Sequence, residues 1–257
     1  QTSPKRPTSA VRRDVPVPQP PDLKRHVIDE ASLDQLLAYV NPQMLYSKHL
    51  GLKGSFTRLK EERDPKALAL EAQVAEVLTL AQRERWMSAR AVWKFFPARA
   101  EGDDLVLFAP GGAQELERFQ FPRQPGGERL CLSDFVAPKE ANRLDYVALF
   151  VTTAGVGLRP HVERLKAAGE YVKCHTLQAL AIEMAEAFAE SLHTSLRAMW
   201  GFADPATTTM ADRFRAQYRG LRVSFGYPAC PRLEDQDKLF RLLEPESIGV
   251  QLTEGHM

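Results

Sequence analysis

The segment from about residue 175 to residue 200 carries the strongest hydrophobic period in this sequence. Apolar side chains recur there at steps of three and four residues, the spacing that places side chains on one face of an α-helix. We therefore expect one long amphipathic helix that packs its apolar face on the rest of the fold. The apolar face is formed by Leu177, Leu180, Ala181, Met184, Phe188, Leu192, Leu196 and Met199. The remaining faces carry Glu183, Glu186, Glu190, His193 and Arg197, for which solvation is the default expectation.

The other predicted elements mix helices with hairpins and show no regular βαβ repeat. Asp64 followed by Pro65 predicts a helix start. Gly111-Gly112 lies between two strand-like segments and predicts an antiparallel hairpin. The apolar run 145–153 predicts a central strand covered on both faces, and residues 248–253 predict another strand. This pattern favours an α+β fold, with a twisted, mainly antiparallel sheet and flanking helices, over a doubly wound fold.

The chain divides into an N-terminal linker, residues 1–30, and a globular part, residues 31–257. The linker contains six of the 18 prolines among lysines and arginines, with little to bury. Proline lacks the backbone N–H group that helices and central strands need, so an extended linker is expected.

Composition excludes several function classes. The 34 Lys+Arg balance 33 Asp+Glu, so the net charge of +1 favours no nucleic-acid partner. No apolar run approaches the length of a membrane span, and we expect no membrane partner. The three cysteines lie far apart without a metal-binding spacing, which is typical of a protein in a reducing cytoplasm.

Three motifs invite chemical interpretations that we consider weak. Gly155-x-Gly157 follows a predicted strand as in a phosphate-binding loop, but a third glycine is missing, and a plain strand-to-helix turn is favoured. Glu190 and His193 have the spacing of a carboxylate-bridged metal pair, yet no second pair occurs, so no metal site is expected. Cys230 has no base near it in sequence and is expected to be a small buried thiol.

Residues 218–231, YRGLRVSFGYPACP, form the most informative segment. Glycines and prolines exclude regular helix or strand, and loops of this composition often present side chains to a ligand. Arg222 offers a planar fork suited to a carboxylate, and Tyr227 offers an aromatic face. Composition alone favours a purely structural loop.

GYPACP, preceded by Arg222, resembles the signature of the reactivation domain of cobalamin-dependent methionine synthase. The resemblance extends in order from about residue 30 almost to the C-terminus. It is carried by YVNPQMLYSKHLG, FPARAEGDDLVLF, CLSDFVAP, ALAIEMAEAFAESLH and IGVQLTE as well as the loop.

The resemblance implies a single C-shaped domain that binds S-adenosylmethionine. It implies that the ligand's methyl group is presented to cobalamin on a neighbouring domain, after flavodoxin or an equivalent reductase has delivered an electron. Catalytic acids or bases are not expected, because a sulfonium is a good methyl donor and positioning dominates the reaction. Zinc is expected only in the homocysteine domain, which this chain lacks.

The resemblance also implies a set of binding residues. Arg222 matches the arginine that holds the ligand carboxylate, and Glu186 matches a glutamate near its amino group. Tyr227 and Ala229 match the loop on the adenine side. Asn41 stands where some members have an aspartate, so it brings no charge. Family members continue beyond the position of Met257, and we expect the C-terminal end to be truncated.

Two other functions remain open from the sequence. One is a noncatalytic module that docks a cobalamin domain and flavodoxin. The other is an unrelated S-adenosylmethionine-dependent methyltransferase that uses Gly155 and Gly157, against which the incomplete glycine pattern argues.

Overall fold

A computed structural model describes residues 10–13 and 15–256 of the chain. Within them, five antiparallel strands form one open sheet flanked by helices, which confirms the predicted α+β class. The strands are β1 (Arg25–Ala31), β2 (Ser88–Glu101), β3 (Asp104–Phe108), β4 (Glu115–Gln120) and β5 (Asp145–Val156). The α-helices are α1 (Leu33–Leu37), α2 (Phe56–Glu61), α3 (Pro65–Arg83), α4 (Leu158–Ala167), α5 (Tyr171–Met199), α6 (Met210–Phe214) and α7 (Gln236–Leu243). A π-helix spans Gln43–His49, and 3-10 helices span Leu132–Phe135, Lys139–Ala141, Leu233–Asp235 and Pro245–Ile248.

The long strand β2 is the centre of the sheet. One of its edges pairs first with β1 and then with β3, and the other edge pairs with β5. Its side chains alternate between two buried clusters, as the period of a strand requires. Ala91 and Phe95 pack with α3 and α5, whereas Phe96 and Ala98 pack with β3, β4 and α7. The sheet therefore separates two apolar cores.

Strand β5 does not lie in the centre of the sheet, contrary to the prediction from the sequence. It pairs only with β2, so among the described strands it lies at an edge of the sheet. Both of its faces are nevertheless covered: Phe150 packs in the cluster around α5, and Leu149 packs in the cluster around α7. An apolar run reports two covered faces, and it carries no information about whether both edges are paired.

The predicted strand over residues 248–253 is wrong. Ile248 ends a 3-10 helix, and Gly249 follows it with a left-handed φ of +84°, which interrupts an extended conformation. The Val250 N–H group donates a hydrogen bond back to the Pro245 carbonyl. Ile248 is fully buried in the apolar cluster that contains α7, which we call the second core. This segment therefore packs on the second core through one side chain.

The N-terminal segment is attached to the rest of the fold at several points. Its described residues from 10 to 24 form neither helix nor strand, whereas residues 25–31, which the sequence analysis placed largely in the linker, form β1. The Arg143 guanidinium donates to the carbonyls of Arg13 and Val15, and the Trp200 indole donates to the carbonyl of Pro18. The expected linker over residues 1–9 and at residue 14 lies outside the described residues.

No helix within residues 10–13 and 15–256 is both long enough and apolar enough to span a membrane.

Replacing the helix cap of α3 is expected to destabilise the fold. The Asp64 carboxylate accepts hydrogen bonds from the amides of Lys66 and Ala67, each at 2.9 Å, and Pro65 occupies the first turn. Asp64→Ala removes both acceptors and should lower the free energy of unfolding by about 1 kcal/mol. Urea unfolding of the variant measures this change. Asp64→Ser is the matched control, because it keeps a capping oxygen, and an equal loss in both variants would contradict the capping role.

Truncating Ile248 is expected to cost considerably more. Its side chain is fully buried although its backbone is irregular. Ile248→Ala should lower the free energy of unfolding by about 2–5 kcal/mol, since the lost transfer energy adds to the cost of a cavity. Ile248→Val should cost only about 0.5–1.5 kcal/mol in the same urea titration. A change near zero for the alanine variant would show that this segment does not close the second core.

Candidate functional site

The polar side of helix α5 is largely buried. Glu183, Glu190, His193 and Arg197 are each less than a tenth exposed, so the expected solvated face is wrong for these residues. Only Glu186, whose side chain is 64% exposed, reaches solvent. The spacing of these five residues alternates between three and four, which keeps them in one row along the helix. The π-helix and the segment that follows α5 cover this row through the contacts described next.

Arg197 and Asp204 form a buried ion pair at the C-terminal end of this row. Asp204 accepts from Arg197 Nε at 2.8 Å and from Nη2 at 2.7 Å, and Arg213 donates to the same carboxylate. The hydrogen bonds from Arg197 hold the pKa of Asp204 below its usual range. The Arg197 and Asp204 side chains are only 1% and 4% exposed, and they pair through two hydrogen bonds. This pairing fixes the segment after α5 against the helix.

Tyr218 begins the glycine-rich loop and lies on top of this pair. The Arg197 guanidinium carbon is 3.9 Å from the centre of the Tyr218 ring, and the His193 ring meets the same phenol edge-on. Burial, and then the positive charges of Arg197 and Arg222, lower the pKa of His193 to about 3. His193 is therefore neutral at pH 7 and contributes no charge to the site.

The loop of residues 218–231 has the irregular conformation predicted from its composition. Gly220 and Gly226 take left-handed φ angles of +99° and +91° on either side of Arg222, a conformation that other residues rarely adopt. These two reversals return the chain to α5 and direct Arg222 towards the polar row.

Arg222 lies between two carboxylates of α5. Its Nη2 donates to Glu190 Oε2 at 3.1 Å, and its Nη1 lies 3.8 Å from Glu186 Oε2. The Arg222 Nε atom is buried and has no hydrogen-bond partner among the described residues. Arg222 and Glu186, which the sequence analysis assigned to one site, are thus adjacent, with a guanidinium beside an exposed carboxylate.

Tyr227 and Ala229 lie in a tight turn of the same loop. The Gly226 amide donates to the Cys230 carbonyl and the Cys230 amide donates to the Tyr227 carbonyl, both at 2.9 Å. The Tyr227 side chain is largely exposed, and Ala229 is half-buried. The turn therefore presents an aromatic ring at the surface on the loop that carries Arg222.

Asn41 precedes the π-helix and caps it. Its side-chain oxygen accepts from the amides of Gln43 and Met44. The other end of the π-helix is tied to α5, where His49 Nε2 lies 2.8 Å from Glu183 Oε1. Burial raises the pKa of Glu183 in spite of this contact. The structure shows no hydrogen bond from Asn41 to Arg222 or Glu186 within the described residues, and its assignment to the site stays a prediction.

Arg222 also lines a cleft of about 480 Å³. The lining includes residues 145–150 of β5 together with Trp200 and Phe225. This volume is within the range of small-molecule sites. Arg222 lines the cleft, whereas Glu186 and Tyr227 do not.

The remaining motifs have structural roles. Gly157, at a φ of +86°, forms the turn between β5 and α4, as the preferred interpretation predicted. Cys230 is buried, its thiol donates to the Ser224 carbonyl, and burial raises the pKa of that thiol, which disfavours a nucleophilic thiolate. Among the described residues, no three His, Cys, Asp or Glu side chains group as a metal site requires.

Sequence reasoning missed the buried partners along α5. Glu190, the partner of Arg222, was considered only as half of a metal pair, and Asp204, the partner of Arg197, was given no role. The signal that could have found them is the row of polar residues at alternating steps of three and four along α5. Such a row indicates a second packed face when an irregular, glycine-rich segment follows the helix.

Comparisons with known proteins identify the family of the chain. The family described as "Vitamin B12 dependent methionine synthase, activation domain" matches residues 32–257. Methionine synthase of Mycobacterium leprae (strain TN) is 30% identical over 261 residues, covering 94% of this chain and 21% of the relative. Methionine synthase of Mycobacterium tuberculosis (strain ATCC 25618 / H37Rv) is 30% identical over 268 residues, covering 96% and 22%. The chain thus spans about a fifth of these relatives.

A solved structure shows the same fold. It is the crystal structure of the MetH reactivation domain bound to AdoHcy, with a TM-score of 0.87 and 28% sequence identity. The match covers 94% of this chain and 77% of the solved chain. With its sheet, its long helix and the loop around Arg222, the chain belongs to the family of vitamin B12 dependent methionine synthase activation domains.

Proposed function

We propose that this chain binds S-adenosylmethionine and positions its methyl group for transfer to cobalamin, as the reactivation module of a cobalamin-dependent methionine synthase. The observation that carries the proposal is the guanidinium of Arg222 beside the exposed carboxylate of Glu186. This pair occurs in a fold that matches a reactivation domain solved with AdoHcy, which is S-adenosylmethionine without its methyl group.

The charges at the site suit the amino-acid end of such a ligand. Arg222 would bind the ligand carboxylate, since a planar guanidinium and a carboxylate form strong charge-assisted hydrogen bonds. Glu186 would attract the ammonium group, and its exposure allows it to turn from Arg222 towards the ligand. The Nη1 group of Arg222 lies 3.8 Å from Glu186, beyond hydrogen-bond distance, so it has donor capacity that a ligand carboxylate could use.

The loop after Arg222 would accommodate the other end of the ligand. Tyr227 presents an aromatic face, and the turn that contains Ala229 presents backbone groups for the adenine side. Asn41 would lie near the ligand's amino group as a neutral acceptor, in competition with the two amides that it caps.

The reaction requires orientation and little proton transfer. Displacement of a thioether from a sulfonium is favoured when the nucleophile approaches in line with the methyl–sulfur bond. Cobalamin, carried by a neighbouring domain, would supply that nucleophile at its cobalt. The residues of this chain would hold the two ends of the ligand so that the methyl group faces the incoming domain. No titrating group is needed, and the adjacent His193 is neutral.

The partners follow from this role. The cobalamin-binding domain of the full-length enzyme would dock on the side where the methyl group is presented, and flavodoxin or an equivalent reductase would deliver the activating electron. The full enzyme would transfer methyl groups to homocysteine, with zinc confined to its homocysteine domain. A cytoplasmic location stays a prediction, in keeping with three buried, free cysteine thiols.

Removing the guanidinium is expected to weaken ligand binding. Arg222→Ala should reduce the affinity for S-adenosylmethionine by about 10- to 100-fold, because hydrogen bonds to charged groups contribute about 1.5–3 kcal/mol. Isothermal titration calorimetry on the full chain measures this directly. Arg222→Lys keeps the charge without the planar fork and should show an intermediate loss.

The calorimetry also separates the rival function. Equal affinities of the wild type and Arg222→Ala would reject the assigned site. Absence of S-adenosylmethionine binding by the wild type would contradict the proposal and favour a noncatalytic module that docks a cobalamin domain and flavodoxin.

Neutralising the exposed carboxylate is expected to have a smaller, ligand-dependent effect. Glu186→Gln should weaken S-adenosylhomocysteine binding by about two- to fivefold, since exposed ion pairs contribute at most about 1 kcal/mol. The same variant should bind a deaminated analogue of the ligand as tightly as the wild type does. An equal loss for both ligands would show that Glu186 does not recognise the ammonium group.

A further inference from the structure

Glu190 lies one helical turn beyond Glu186 on α5, in a different environment. The Glu190 side chain is 8% exposed, whereas that of Glu186 is 64% exposed. Both carboxylates face Arg222, so the guanidinium has one inner and one outer partner.

The inner contact is the shorter one. Arg222 Nη2 donates to Glu190 Oε2 at 3.1 Å, while Nη1 lies 3.8 Å from Glu186, beyond hydrogen-bond distance. The buried carboxylate of Glu190 therefore holds the Arg222 guanidinium through Nη2, and Nη1 is directed towards the exposed carboxylate of Glu186.

The neighbouring groups leave Glu190 as the inner counter-charge of Arg222. Arg197, the arginine that belongs to this row, is paired with Asp204, to which it donates at 2.8 and 2.7 Å. His193 is neutral. A buried charge without a partner is costly, so the position of Arg222 depends on Glu190.

We infer that Glu190 is a positioning residue for the ligand site, acting through Arg222. This inference rests on the proposed function. When Glu186 turns towards a ligand ammonium, Glu190 keeps Nη2 in place and leaves Nη1 available to the ligand carboxylate. Without Glu190, Arg222 is free to move towards Glu186 and form an internal ion pair with it. Glu186 would then no longer be available to the ligand ammonium.

The test compares two ligands that differ in the amino-acid group. S-adenosylhomocysteine carries the carboxylate, and 5′-methylthioadenosine keeps the adenosine and the thioether but lacks it. Glu190→Ala should weaken binding of S-adenosylhomocysteine by about tenfold, the effect of losing about 1.4 kcal/mol, and should leave 5′-methylthioadenosine binding unchanged. Glu190→Gln keeps an acceptor oxygen for Nη2 and should restore S-adenosylhomocysteine binding to within about threefold of the wild type.

A double-mutant cycle identifies the route of the effect. If Glu190 acts through Arg222, Glu190→Ala should cause no additional loss of S-adenosylhomocysteine affinity in an Arg222→Ala background. Asp204→Ala is the matched control, because it also removes a buried carboxylate that holds an arginine of this region. Thermal unfolding of each variant establishes that the titrated protein is folded.

The outcomes distinguish this inference from the proposed function. If Arg222→Ala weakens ligand binding and Glu190→Ala does not, the positioning role of Glu190 is overturned and the proposed function is not. Equal losses for both ligands, or the same loss in Asp204→Ala, would also overturn it by indicating a general structural effect. Binding that is insensitive to Arg222→Ala, or absent from the wild type, would overturn the proposed function and the positioning role with it.

Discussion

The row of charged side chains buried along α5 is the constraint on which the candidate site depends. A helix that packs an apolar face on a sheet ordinarily leaves its polar face in water. Here the π-helix and the segment after α5 cover that face, so the buried polar groups need partners inside the protein. Arg197 pairs with Asp204, Glu183 meets His49, and Glu190 holds Arg222. Of these contacts, the Glu190–Arg222 pair holds the glycine-rich loop against α5.

This arrangement gives Arg222 a structural role in the fold as well as its place in the candidate site. Its inner contact with Glu190 is buried, and its outer neighbour Glu186 is exposed. A guanidinium held on one side only keeps a fixed position while its other side remains available to a ligand. An arginine with one buried and one exposed carboxylate neighbour suits recognition of a zwitterionic amino-acid group, since the exposed carboxylate of Glu186 is free to pair with an ammonium group instead.

Much of the fold could be predicted because its signals are local. The cap at Asp64, the hairpin at Gly111-Gly112 and the period of α5 each involve residues within a few positions of one another. The predictions for β5 and for residues 248–253 failed in part because both depended on distant neighbours. Apolar composition reported that these segments are buried, but strand pairing is decided by which other segments reach their edges.

The sequence by itself determined the long helix α5, the start of α3, the hairpin at Gly111-Gly112, the loop rich in glycine and proline, and the resemblance that named Arg222, Glu186, Tyr227, Ala229 and Asn41. Only the tertiary structure decided that the polar face of α5 is buried and that Glu190 is the inner partner of Arg222. The physical reason is that helical period and capping act over a few residues. Burial and ion pairing are set by segments that meet only after the chain has folded, as Glu190 and Arg222 do across 32 positions.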